Sequence, residues 1–276
     1  MFDTTKTLAL AADQVEALLV GPVIDTSIAT RITTVLRTTK HRVRFPKLVS
    51  DVTAHWTAEG DEITPSTPEF GEVIAETSKV AGLTIVTNEM LHDAEDYAIN
   101  QIGDGLRRQI VSSIDKAFFT AVAAPAPQGL TSVTPSVLDV GAALTNLDWA
   151  QEATALAAAA GSTINHFVAH PDDVLALALL KESAGSNRGL LQPNPAQPTI
   201  SDINGIPLIG STDVTAGTIW GIPKDTVHTV IRKDVEVKAD GSVMFTSDRT
   251  AIRGVMRVGF AFTHEAGIIK ITHVTP

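Results

Sequence analysis

Charge is sorted along the first third of this chain. From Thr26 to Ser50 there are six basic residues (Arg31, Arg37, Lys40, Arg42, Arg44, Lys47) and no acid, whereas Asp51 to Ser78 holds seven acids (Asp51, Glu59, Asp61, Glu62, Glu69, Glu72, Glu76) and no Lys or Arg. Apolar residues alternate with these charges: Val43 and Phe45 flank Arg44, Val52, Ala54 and Trp56 follow, and Glu72 separates Phe70 from Ile74. Period two is the side-chain repeat of a strand, so residues 41–56 and 70–86 read as the strands of a long hairpin arm with a polar, Pro-containing tip at residues 57–68. Opposite charge on its two strands has two readings. The strands pair with each other, or each complements the opposite half of an identical neighbouring chain. A two-stranded ribbon is marginal in water, so an arm this long needs something else to lie against.

Composition narrows the class. A chain of 276 residues can bury a sizeable core, and 44% apolar residues is ordinary for a globular protein. The absence of Cys excludes disulfides and thiolate metal sites and, with no leader-like apolar start, points to a chain made in a cytoplasm. No run approaches the roughly 20 apolar residues needed to span a bilayer, so no membrane partner is expected. A formal charge of -10 argues against a general nucleic-acid binder while leaving room for a local basic face.

Along the chain, residues 7–20 have helix-forming composition and stop at Gly21-Pro22. From Asn88 the spacing turns helical, with Leu91, Ala94, Ala98, Ile102, Leu106, Ile110 and Ile114 at three- or four-residue steps, capped by Thr87 or Asn88. Residues 147–160 read as an Ala-rich helix, 165–169 as a strand, 171–181 as a helix with Asp172 and Asp173 in its first turn, and 183–199 as a loop. Short strands follow at 207–209 and 218–220. Residues 235–245 predict a hairpin turning at Asp240-Gly241. Residues 251–262 alternate, with Ile252, Met256, Val258, Phe260 and Phe262 on one face and Arg253 and Arg257 on the other. A long helix packed on a long strand is the expected centre of the fold.

Motifs for catalysis are missing. Walker and dinucleotide fingerprints, HExxH and GxSxG are absent, and Gly103-Asp104-Gly105 sits inside a helix without a third glycine. His166, His170 and Asp172 form the best candidate metal set, against a reading of His170 as a helix cap. Asp93, Glu95 and Asp96 could be an acid and base pair, but acids in a first helical turn are explained by the dipole. Arg249, Arg253 and Arg257 could meet nucleic acid or pair with acids of a neighbouring element. No catalytic, cofactor or metal residue is assigned.

Order and character together resemble the HK97-fold major capsid proteins of tailed phages. The segments that carry the resemblance are WTAEGDEITPSTPEFGEVIAETSKVAGLTIVTNEML (56–91), IDKAFFTAVAAPAPQGL (114–130), VAHPDDVLALALLKESAG (168–185), INGIPLIGS (203–211) and MFTSDRTAIRGVMRVGFAFTHEAGIIKI (244–271), in family order. The resemblance implies an α+β fold with an N-arm at 1–40, an E-loop at 41–86 that lies over a neighbouring subunit, a P domain with its spine helix at 87–132, an A domain at 133–226 and a return to the P domain at 227–276. It further implies an icosahedral shell of pentamers and hexamers around double-stranded DNA, a portal and a separate scaffold or protease as partners, and a place in the virion after assembly in the host cytoplasm. An encapsulin-like compartment and a soluble metal-dependent enzyme are the alternatives. The contacts between subunits are expected at Trp56, Glu59, Asp61, Glu62 and Phe70 of the arm and at Arg37, Arg42, Arg44, Arg253 and Arg257 of the receiving side. Some family members crosslink an E-loop lysine, but none lies between Lys47 and Lys79 here, so that chemistry is not expected.

Overall fold

The computed structural model describes residues 26–50, 54, 56–60, 62, 65–89, 96–183, 186–191 and 201–274. The helix expected at 7–20 and most of the 183–199 loop lie outside the described residues.

A four-stranded sheet forms the first layer, in the order β1 (Thr34–Arg37), β10 (Val227–Met244), β11 (Arg249–Phe262), β4 (Ser78–Thr87). β1 runs parallel to β10, and the other pairings are antiparallel. The long helix α2 (Asp96–Phe119) covers one face; at about 1.5 Å per residue its 24 residues run about 36 Å. Leu106, Ile110, Ile114 and Phe118 pack on Ile252, Met256, Val258, Phe260 and Phe262, which is the apolar face expected of residues 251–262. Phe118 meets Phe260 edge-on at 5.0 Å between centroids, a favoured aromatic geometry. One close approach depends on missing side chains. Gly82 and Gly254 oppose each other across β4 and β11, and a Cβ at Gly254 would stand 2.8 Å from Leu106 Cδ2, while one at Gly82 would overlap Leu106 Cδ1. The paired glycines leave a notch that the Leu106 side chain fills.

A six-stranded sheet forms the second layer, ordered β5 (Ser136–Asp139), β12 (Ile269–Thr272), β9 (Thr218–Ile222), β6 (His166–Ala169), β8 (Ile206–Gly210), β7 (Ser201–Ile203). Helices α3 (Asp148–Ala159) and α4 (Pro171–Leu179) cover it. Trp149 and the small residues Ala150, Ala153 and Ala157 let α3 approach closely, with Trp149 edge-on to Phe167 at 5.5 Å. Val168, Trp220 and Ile222 on the other face join the core beneath α2, so the two sheets share apolar packing.

Two expectations are corrected. The strand expected at 70–86 is two strands: β3 (Glu69–Glu76) pairs with β2 (Arg42–Ser50), and β4 pairs with β11. The break falls at buried Thr77, whose N–H and hydroxyl both donate to the His41 carbonyl, at 3.1 Å each. Asp240-Gly241 is not the hairpin turn. β10 runs on to Met244 because its partner β11 offers a matching ladder, and Asp240 Oδ1 accepts from the N–H (2.8 Å) and hydroxyl (2.6 Å) of Ser242 at a register shift within the strand. The chain turns instead through residues 245–248, with Asp248 at φ 47. Residues 227–276 contribute strands to both sheets. β12 lies between β5 and β9, where Ile269 and Ile271 are fully buried in the core beneath α3.

Candidate functional site

The arm is anchored at its root and open beyond it. Ala75 is fully buried against Val230 and Ala261, with Val43, Phe45 and Val73 packed beside them. The Phe45 ring stacks on His228 at 4.7 Å and 9°. Burial pushes the His228 imidazole down from its ordinary value, against an opposing pull from Asp225.

Register makes Arg42 oppose Glu76, and these two meet at 2.7 Å; Arg44 reaches Glu72 at 3.2 Å. The shaft of the hairpin thus neutralises itself, the first of the two readings of its charge sorting. All four side chains are more than half exposed, so each pair contributes little to stability, about 0–1 kcal/mol before salt screening.

Arm residues toward the tip differ. Trp56 is fully exposed, Phe70 is 70% exposed, and Glu59 and Glu62 are exposed. Asp61 lies outside the described residues. Fully burying an aromatic of this size is worth roughly 1.5–3 kcal/mol, which this chain by itself does not gain at Trp56. Arg37 is exposed on β1, while Arg253 is exposed and Arg257 half-buried on the face of the first sheet opposite α2. Among the described residues, no ion pair joins Arg253 or Arg257 to the arm tip of the same chain.

The metal candidates do not converge. His170 Nδ1 accepts from the Asp172 N–H at 3.2 Å and caps α4, so this imidazole serves the helix end. His166 is half-buried on β6, its imidazole pushed down by burial and then by Lys224 and Arg31. No cluster of three potential ligands occurs among the described residues. Asp93 and Glu95 lie outside the described residues, and Asp96 opens α2.

Sequence reasoning missed Asp115. This carboxylate of α2 accepts from Ser27 Oγ (2.6 Å), Ala29 N–H (3.0 Å) and Ile28 N–H (3.2 Å), fastening the short helix α1 (Ile28–Ile32) from 88 residues away. Burial raises its pKa above the ordinary 3.8, against those three hydrogen bonds. The i+3 and i+4 apolar spacing put Asp115 inside the helix pattern but gave no sign of what it would cap.

Comparison with known proteins bears on this arrangement. The Phage capsid family matches residues 9–273. No curated protein matches the chain by sequence. Among solved structures, the capsid of an empty GTA particle is similar at 16% identity and TM-score 0.74, with 88% of each chain covered. A chain of Mycobacterium phage Adephagia is similar at 14% identity and TM-score 0.71 over 91% of each. One of Microbacterium phage Oxtober96 is similar at 17% identity and TM-score 0.72, over 90% of this chain and 91% of that one. The encapsulin-like and enzymatic alternatives find no support among these. A family match over nearly the whole length, on a long helix packed against long strands with a projecting arm, places the chain in the phage capsid family, with the HK97-like fold of a major capsid protein.

Proposed function

We propose that this subunit forms pentamers and hexamers that close an icosahedral head around double-stranded DNA, assembling in the host cytoplasm with a portal and a separate scaffold or protease. In this reading residues 1–40 are the N-arm and 41–86 the E-loop. The first sheet and α2 are the P domain, and residues 133–226 together with β12 are the A domain. The observation that carries the reading is the arm: its root is built into the subunit, its shaft is charge-paired, and its tip holds a fully exposed Trp56 beside exposed acids. A head-to-tail contact repeats around a closed ring, so one such tip per subunit would act at every interface.

Electron microscopy of the purified protein tests the class, with shells, rings or tubes as the expected result. Reversing Glu59, Asp61 and Glu62 to Lys tests the arm. Capsomer assembly should fail, and particles of normal yield from that triple variant would sink the arm assignment.

A further inference from the structure

His273 directly follows β12, and only 2% of its side chain is exposed. Asp173, in the first turn of α4, is fully buried. His273 Nε2 lies 3.4 Å from Asp173 Oδ1, and neither atom has a hydrogen-bond partner among the described residues. Asp173 Oδ2 accepts from the Gly217 N–H at 2.9 Å, just before β9. The other ring nitrogen of His273, Nδ1, stands 3.2 Å from the Val274 carbonyl oxygen. Backbone bonds from the His273 N–H to the Gly217 carbonyl (3.0 Å) and from the Val274 N–H to the Ala142 carbonyl (3.3 Å) tie the same point. Thus α4, the turn before β9, the end of β12 and the segment after β5 all meet around one imidazole.

Counting protons decides what that ring must be. Both of its nitrogens face acceptor oxygens, a carbonyl and a carboxylate. A neutral imidazole has one N–H, so one nitrogen would set its lone pair against an oxygen, whereas the imidazolium has a donor for each. The charged ring also neutralises Asp173, for which the described residues offer no other basic partner.

Neighbouring ionisable groups are engaged elsewhere. Asp172 of α4 lines a cavity with His273, but its side chain is 74% exposed and lies 3.3 Å from His170 Nδ1. Asp139 of β5 accepts from Thr272 Oγ1 (3.0 Å) and the Gly141 N–H (3.1 Å). Lys270 of β12 sits over the Trp220 ring at 5.8 Å, and Asp213 lines a different cavity with Asp115. Residues 140–144 and 215–219 carry no charge.

We infer that Asp173 and a doubly protonated His273 form a proton-operated latch on the second sheet, closed while the ring holds both protons and released when it loses one. The latch is a property of the single chain and does not depend on the capsid reading. Its contribution is present at low pH and is lost as pH rises through the range in which histidines titrate, about pH 5–8. Release leaves a buried carboxylate without its cation, a strongly destabilising state. His273 also walls a cavity of about 380 Å³ beside exposed Leu175 and Leu179, so release loosens that apolar side of α4.

Two measurements on the full chain test the latch. With histidine labelled by ¹⁵N, the ring signals missing from H273Q identify His273, and both nitrogens should be protonated at about pH 5.5, with one proton lost on raising the pH. Hydrogen exchange of residues 269–274, corrected for the intrinsic rate, should lose protection about tenfold between about pH 6 and pH 8. D173N keeps an acceptor for the Gly217 N–H and offers its amide N–H to a neutral Nε2, so its protection should not change with pH. If D173N does not fold, H273Q replaces it, because its amide donates to Asp173 at every pH. A ring with a single N–H at about pH 5.5, or the same loss of protection in the variant as in wild type, would overturn the latch.

Discussion

Substituting Gly254 by Ala should change sign in its effect on stability depending on what stands at residue 106. In the wild type the new methyl meets Leu106 Cδ2 at 2.8 Å, with Ile110 Cδ1 at 3.3 Å, so the packed Leu106 side chain must shift to admit it. Overpacking of this kind costs about 1–3 kcal/mol, reduced by the roughly 0.5–1 kcal/mol that Ala gains over Gly in a strand. A net loss of about 1–2 kcal/mol is expected. Leu106, only 8% exposed, should cost about 2–5 kcal/mol when cut to Ala, since the notch between the two glycines becomes a cavity. In that background the clash is gone and the methyl partly refills the space, so G254A should become neutral or stabilising. Guanidinium unfolding of unassembled subunits, followed by tryptophan fluorescence with buried Trp149 and Trp220 as reporters, gives the four corners of the cycle. Additive losses, or a G254A single variant within about 0.5 kcal/mol of wild type, would refute the notch.

Asp115→Ala should detach α1 and destabilise by roughly 2–4 kcal/mol, because it removes the acceptor of the buried Ser27 hydroxyl, of the buried Ala29 N–H and of the part-buried Ile28 N–H, as read by unfolding and by faster hydrogen exchange at residues 28–32. The raised pKa of Asp115 means that the folded state holds this proton more tightly than the unfolded chain. Its stabilising contribution is therefore complete below 3.8 and is lost as pH rises through the higher folded value, so the stability difference between wild type and D115N should shrink or reverse on that rise. His170→Ala should cost about 0.5–2 kcal/mol through loss of the α4 cap, with H170N recovering most of it by the same unfolding measurement. Arg42→Ala and Arg44→Ala should each shift subunit stability by less than about 1 kcal/mol, since both pairs are more than half exposed; larger effects would mean that the shaft pairs do more than neutralise.

Much of this architecture could be read without coordinates. The alternation of residues 251–262 announced which side of β11 is buried, and the spacing of Leu106, Ile110 and Ile114 announced the helix that covers it. Charge sorting announced the arm but could not choose between its two readings, because that depends on register: Arg42 meets Glu76 only because Val43 opposes Ala75. The break at Thr77 was hidden because β3 and β4 have the same period and differ only in partner. Asp240-Gly241 misled because local turn chemistry is a weak signal beside a ladder that runs on to Met244. The one row of cations across β4, β11 and β10 was invisible for a similar reason. Lys79, Lys233 and Arg257 are remote in sequence and become neighbours only through two registers. The paired glycines of the Leu106 notch are another case where a function is legible only from both strands at once.

The placement of β12 bears on the order of events as the chain is synthesised. Ile269 to Thr272 pair with Ser136 to Asp139 on one side and with Thr218 to Gly221 on the other, so the six-stranded sheet cannot close until residue 272 has left the ribosome. Until then β5 has no partner among the strands of that sheet, and the groups that Ile269 and Ile271 cover stay open to water. Contacts spanning more than 130 residues also form slowly, because a long loop must close before they contribute. The second layer of a nascent subunit therefore stays unfinished until β12 has emerged and can pair on both sides.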